Sequence, residues 1–385
     1  MANNNDKKVL NVPALRFPEF TEEWQGEQLH EIAELSKGIG ISKEQLSENG
    51  TPCILYGELY TKYKSEIISK IISKTDIEKS KLKHSKQNDV IIPCSGETAI
   101  DIAVARCVPF DNVLLGGDLN VIRLHKYDGA FMAYQLNGKR KTDIAKLAQG
   151  VSVVHLYGEN LKSIKTYNPS LQEQQKIVKL LSMLDERLEV QNKIIEDLKK
   201  LKSAIRKRVF TSFKNGHTES CEINQLIAYE QPTAYIVTND EYSADKTLTP
   251  VLTANKGFIL GYTDEDFGIY QKGECIIFDD FTMDVKYVSF PFKVKSSAIK
   301  ILTAKPDVNL RFMFEYLSYL ELKSEEHKRH YISEIAPLII ELPSKEKQNR
   351  IAYLMTSLDN KLALEENTRA RYMNEKRYLL SQMFI

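Results

Sequence analysis

Apolar positions recur along parts of this chain in a strict rhythm. From Pro169 to Phe210 they advance in steps of four and three: Ile177, Leu181, Leu184, Leu188, then, past a polar break at Gln191, Ile195, Leu198 and Ile205. From Pro343 to Phe384 the rhythm returns with Ile351, Met355, Leu358 and Leu362, a break at Glu365 and Arg369, then Tyr372 and Leu379. Such steps place apolar side chains on one narrow stripe of a helix, the seam of a coiled coil. Both stretches open on Pro-Ser, where proline is tolerated in the first turn and serine can cap. Neither holds an internal Pro or Gly. At 1.5 Å per residue, about forty residues predict a rod of roughly 60 Å.

The two stretches are copies. Shifted by 174 residues they align without a gap and share Pro169/Pro343, Ser170/Ser344, Gln174/Gln348, Ile177/Ile351, Leu180/Leu354, Leu184/Leu358, Asp185/Asp359, Leu188/Leu362, Lys202/Lys376 and Phe210/Phe384. A narrow-striped rod needs a partner, and the other copy is the obvious one, so an antiparallel pair is favoured over two ordinary core helices in separate domains. Each rod follows a larger segment in which strand-like runs alternate with turn residues: DVIIPC (Asp89 to Cys94), LNVIRL (Leu119 to Leu124), ECIIFDDF (Glu274 to Phe281) and SAIKIL (Ser297 to Leu302). A helix beginning Phe-Met is expected near the end of each, over Phe131 to Gly150 and Phe312 to Lys328. The pattern predicts a duplicated module of mixed α/β (α+β) class. Its parts are a globular domain over 1–168, a helix over 169–214, a second domain over 215–342 and a second helix over 343–385. The globular parts have diverged far more than the rods, which suggests two different ligands read by one scaffold.

Composition adds a frame. At 42% hydrophobic and 27% charged, the 385 residues are ordinary for a soluble globular protein. No apolar run approaches the ~18–20 residues that span a bilayer. The opening MANNNDKK resembles no secretory signal. Five scattered cysteines, Cys53, Cys94, Cys107, Cys221 and Cys275, form no C-x-x-C, which argues against a disulfide framework and for a reduced, cytoplasmic setting. Net charge is +1, but it is unevenly spread: residues 169–214 carry 11 basic against 6 acidic side chains, and 215–342 carry 12 against 20. Charge alone neither supports nor excludes a nucleic-acid partner.

Enzyme motifs are missing. There is no G-x-x-x-x-G-K-[ST] to cradle phosphates, and Gly116-Gly117-Asp118 reads as a turn. Asn168-Pro169-Ser170-Leu171 superficially resembles the loop of amino-methyltransferases but lacks the second proline and the aromatic residue. Asp279, Asp280 and Asp284 cluster after an apolar run, a weak hint of a metal-dependent nuclease that a turn at a strand end explains better. The histidines show no metal spacing, and Cys94-Ser95-Gly96 has no base nominated beside it. The pattern points to a binder.

Several separated motifs resemble the specificity (S) subunits of bacterial type I restriction–modification enzymes: VPALRFPEFTEEW (Val12 to Trp24), PSLQEQQKI and its echo PSKEKQNRI at the rod starts. YEQPTAYIV (Tyr229 to Val237), TPVLTANKGFILGYTDE (Thr249 to Glu265) and FPFKVKSSAIKIL (Phe290 to Leu302) add to it. The resemblance covers the whole chain. It implies a fold of two mixed α/β target-recognition domains joined by two long antiparallel coiled-coil helices, with a pseudo-two-fold internal repeat. It also implies a non-catalytic subunit whose domains each read one half of a bipartite site in double-stranded DNA, with the helices setting the gap. Two modification (methyltransferase) subunits would methylate adenines with S-adenosylmethionine, and two restriction subunits would translocate and cut using ATP and Mg²⁺. This chain itself would hold no cofactor and no metal. A coiled-coil adaptor without DNA, or a self-sufficient enzyme, are the readings from other classes.

Candidate DNA contacts are Lys83, Lys139, Arg140 and Lys141 in the first domain and Lys293, Lys295, Lys328 and Arg329 in the second, since basic side chains meet phosphates and base edges. The run Lys199, Lys200, Lys202, Arg206, Lys207 and Arg208 either touches DNA or is the solvated end of a helix, where cations suit the dipole. For subunit docking the rod starts are the candidates. Ile177, Leu184, Leu188, Ile351, Leu358 and Leu362 read as seam, while the polar pairs Gln174/Gln348 and Asp185/Asp359 are candidates for partner contact.

Overall fold

The computed structural model describes residues 10–78, 82–215, 218–253, 257–323 and 328–385. They form two compact units, Met1–Asn192 with Asn367–Ile385, and Lys193–Glu366. Each unit therefore holds one globular domain, half of its own long helix and half of the other.

In the first unit a four-stranded antiparallel sheet runs in the order Ala33–Lys37, Leu119–Leu124, Asp89–Pro93, Arg106–Val108. Asp89–Pro93 is buried at every position, which explains a continuous apolar run in place of an alternating one. Its one carboxylate, Asp89, is held by two bonds from Arg123, at 2.9 and 2.7 Å. A second sheet orders Ser73–Thr75, Leu46–Ile54, Leu114–Leu115 and Lys83–His84, with one parallel pair joining Cys53 to Leu114. The strand Gln25–Gln28 pairs with Lys165–Asn168. The helix Gly129–Asn137 starts where Asp128 accepts a bond from Phe131 N–H at 2.9 Å, and its residues from Gly129 to Leu136 are all buried.

The second unit repeats the plan. Its four-stranded antiparallel sheet orders Ile227–Glu230, Ile299–Ala304, Cys275–Asp279 and Val285–Val288. A three-stranded sheet orders Ile259–Thr263, Thr249–Leu252 and Lys293–Val294, again with one parallel pair, Val251 to Lys293. Glu219–Glu222 pairs with Ile339–Leu342, and Asn309 caps the helix Leu310–Tyr319 by accepting from Phe312 N–H at 2.9 Å. The four strand-like runs and both Phe-Met helices are present. Two differences have local causes. The helix expected over Phe131 to Gly150 stops at Asn137, because Gly138 closes its end, and a second helix runs over Lys141–Lys146. Of the run from Phe312 to Lys328, the helix takes the part up to Tyr319, and residues 324–327 lie outside the described residues.

The rods are the helices Leu171–Thr211 and Lys345–Gln382. Ser170 and Ser344 accept from the N–H groups of Glu173 and Lys347, both at 3.4 Å, as the Pro-Ser starts predicted. In the first unit Ile177 and Leu181, near the start of the central helix, pack with Met383 and Phe384, just past the end of the other. In the second unit Ile351 and Met355, near the start of the terminal helix, share a core with Phe210. Both pairings run antiparallel. The repeated phenylalanines are the anchors: Phe384 meets Phe131 at 5.3 Å and Trp24 at 6.3 Å between ring centroids, and Phe210 meets Phe312 at 5.5 Å. Removing a buried aromatic ring leaves a cavity, so Phe384→Ala and Phe210→Ala should each cost about 3–5 kcal/mol in thermal or urea unfolding; a cost below about 1 kcal/mol would show that the anchors are not closing these cores.

Candidate nucleic-acid interface

The residues shared by the two rods have duties inside the chain. Gln174 is fully buried; its amide oxygen accepts from Asp128 N–H at 2.9 Å and its amide nitrogen donates to the Pro169 carbonyl at 2.8 Å. Gln348 repeats both bonds, with Asn309 N–H at 2.9 Å and the Pro343 carbonyl at 2.9 Å. Since Asp128 and Asn309 are the caps of the domain helices, each glutamine ties the start of a rod to its own domain.

Asp185 and Asp359 tie helix to helix. Asp185 accepts from the Tyr134 hydroxyl at 2.6 Å and Ser65 at 3.0 Å, and it pairs with Lys376, which also holds Glu66. Burial, and then the Asp185 charge, push the Tyr134 phenol far above its usual pKa, so it stays a donor. In the second unit Asp359 pairs with Lys202 at 2.5 Å and with Arg311. Lys202 and Lys376 are 174 residues apart, as are Asp185 and Asp359, so one contact is made reciprocally in each unit. Where the first unit has Tyr134, the second has the fully buried Glu315, held by Arg206 at 2.9 and 2.6 Å and by Arg311 at 2.6 Å. Among the apolar candidates Ile177, Leu184 and Ile351 are buried, while Leu188, Leu358 and Leu362 are half-buried.

The basic candidates divide. Lys293 is a correction: its side chain is fully buried, ion-paired with Glu265 at 2.6 Å, bonded to the Phe267 carbonyl at 2.8 Å and capped by the Phe267 ring. The Lys293 ammonium, with bonds from Thr238, holds the Glu265 carboxyl down to about 2. An ammonium so enclosed cannot meet a phosphate. Arg140 is turned inward as well, bonded to Asp143 at 3.0 Å and to the Ile385 backbone oxygen. Lys139 and Lys295 are exposed, and Lys83 and Lys141 are half-buried. Lys328 pairs with Glu334 at 2.9 Å, and Arg329 bonds Ser297 at 3.4 Å over the Phe281 ring. The basic run on the central helix is largely paired: Lys199 with Glu366, Lys200 with Glu196, Lys202 with Asp359 and Arg206 with Glu315.

The residues weighed for catalysis have structural roles. Asp279 closes a turn by accepting from Phe281 and Thr282 N–H, both at 2.8 Å, and Asp280 pairs with the buried Lys300 at 3.2 Å. Burial pushes the Cys94 thiol up to about 11, which keeps it protonated at neutral pH. No helix among the described residues is long and apolar enough to cross a membrane.

A family model described as the type I restriction modification DNA specificity domain matches residues 21–200 and, a second time, residues 219–371. The chain belongs to this family. Over 168 residues, 40% of this chain and 41% of the relative, it is 39% identical to the EcoR124I/EcoR124II specificity subunit of Escherichia coli. The putative MjaX specificity subunit of Methanocaldococcus jannaschii is 23% identical over 97% of this chain and 96% of its own length. The crystal structure of an S subunit from M. genitalium superposes with a TM-score of 0.66 over 97% of this chain and 99% of that one, at 18% identity, which establishes the shared fold.

For a specificity subunit, sequence reasoning missed the reason behind its most recognisable motif. In VPALRFPEFTEEW, Arg16 grips Glu173 at the start of the central helix with two bonds of 2.7 Å, and the Trp24 indole donates to the same carboxylate at 3.3 Å. The charge pattern Arg16…Glu173 carries no short-range signal, because 157 residues separate the partners. The buried lysine gives a clean discrimination. Lys293→Ala leaves Glu265 only its two bonds from Thr238, at 2.9 and 2.6 Å, and should cost about 1–3 kcal/mol of stability. A DNA contact would instead lose affinity with an unchanged melting temperature.

Proposed function

We propose that this chain is the DNA-reading subunit of a type I restriction–modification complex, that each of its two domains reads one half of a bipartite duplex site, and that the paired helices set the gap between the halves. The observation that carries this reading is the double match to a DNA specificity domain on two units whose main four-stranded sheets share one strand order, whose rods are alike and whose globular sequences are not. Shared rods suit shared geometry; divergent domains suit two different base sequences. The two relatives above are both specificity subunits, which supports it, and the coiled-coil adaptor without DNA has no such support. The chain would work in the cytoplasm with two modification subunits, which use S-adenosylmethionine to methylate adenine, and two restriction subunits, which use ATP and Mg²⁺ to cleave unmodified DNA. Phosphate contacts from a chain of near-zero net charge would be few, so partner subunits would supply part of the electrostatic attraction, and affinity would fall with salt.

The test is methylation-sensitive sequencing of DNA from cells that hold this chain and its cognate modification subunit, against cells that lack this chain. The expected result is a new methyladenine motif of two short half-sites with a fixed unspecified gap. An assembled, soluble complex that writes no motif would refute the reading.

A further inference from the structure

One loop of the first unit is an exposed point with mixed chemistry, closed at its base by backbone bonds. Gln149 N–H donates to the His155 carbonyl at 2.9 Å and His155 N–H donates back to Gln149 at 2.7 Å, which closes the five residues between them. Gly150 begins the loop at φ +123°, a conformation open to glycine. At its tip Val151 is 98% exposed and Val153 is 53% exposed. Tyr157 follows, also exposed, with its ring stacked on His155 at 6.2 Å and the Lys37 ammonium 5.8 Å from the ring centre. The loop is not loosely hung. Leu156 N–H donates to Cys94 at 2.7 Å and its carbonyl accepts from the buried Asn120 side chain at 3.0 Å, both at the end of the four-stranded sheet. Lys37 stands opposite Asn120 in the same sheet.

We propose that this loop, with Tyr157 and Lys37 beside it, enters a groove of DNA and reads one half-site. The inference rests on the DNA-recognition reading above and deepens it by naming the reading element. Apolar branched side chains held out in water gain little from solvent, but they match the methyl group that marks thymine in the major groove. Gln149 and His155 place donors and acceptors at the same end, and Lys37 supplies the cation for a flanking phosphate. A base already closed by two backbone bonds lowers the ordering cost of docking. All these residues fall within the first match to the DNA specificity domain. At a shift of 174 residues Lys328, Arg329 and Tyr331 stand for Val154, His155 and Tyr157, and Tyr331 is buried where Tyr157 is exposed; the positions answering the loop tip lie outside the described residues.

The test uses the full chain assembled with its modification subunit and reads both the methylation motif and binding to duplexes altered in one half. The double variant Val151→Ser, Val153→Ser changes only side chains in water. It should relax discrimination roughly tenfold or more at one or two base pairs of a single half-site and leave the other half intact. Lys37→Ala should weaken all duplexes alike and reduce the salt slope by about one. A double variant that writes the wild-type motif at the wild-type rate overturns the proposal, as does one that loses the modification subunit while keeping duplex discrimination. A wild-type complex with no motif would instead bring down the broader reading.

Discussion

A helix of about forty residues with a stripe one or two side chains wide cannot bury that stripe by folding on itself. Everything else in this chain follows from how that stripe is covered. In each unit the cover is the other helix running the opposite way, with a repeated phenylalanine at the far end of the contact and a repeated aspartate–lysine pair part-way along it. Apolar seams slide easily, because neighbouring turns offer similar knobs and holes. A partly buried ion pair does not slide, since a slip of one turn would strand a carboxylate away from its partner. The Asp185–Lys376 and Asp359–Lys202 pairs therefore fix the register, and duplication supplies both from one original contact.

Once the register is fixed, the domains are free to differ. Each is joined to the rods by a buried glutamine and an aromatic cluster at the capped end of the domain helix, and by the polar contacts on Glu173, Asp185 and Asp359. Beyond the joint the same architecture tolerates opposite chemistry. A neutral Tyr134 donates to Asp185 in the first unit; in the second, the buried Glu315 is balanced by Arg206 and Arg311. Strand order and the single parallel pair persist while side chains at the sheet end change, which is how one scaffold can carry two recognition surfaces.

What was legible in the sequence was local or periodic. The rods, their Pro-Ser starts and their pairing follow from a heptad rhythm and a self-match, and runs such as Leu119–Leu124 announce themselves by composition. The break of the first domain helix was also written there, in Gly138, but the apolar pattern resuming past it masked the stop. Roles that depend on distant partners were not legible. Lys293 lies two residues from the exposed Lys295 in FPFKVKSS, and only the fold shows Glu265 and Phe267 closing over it. The shared polar residues were candidates for partner contact because similarity was their only visible property; the bonds they make inside the chain, to Asp128, Asn309, Lys376 and Lys202, lie 39 to 191 residues away. The Val151 loop left no signal at all, since exposure is invisible to periodicity.

The claim that the shared polar residues lock this chain to itself is tested most directly by a double-mutant cycle on Asp185→Asn and Lys376→Met, read by urea unfolding and by binding to the modification subunit. The lock predicts destabilisation by each single change and a coupling above about 1 kcal/mol, with binding lost only as folding is lost. Additive, near-zero effects on stability together with loss of the modification subunit would contradict it.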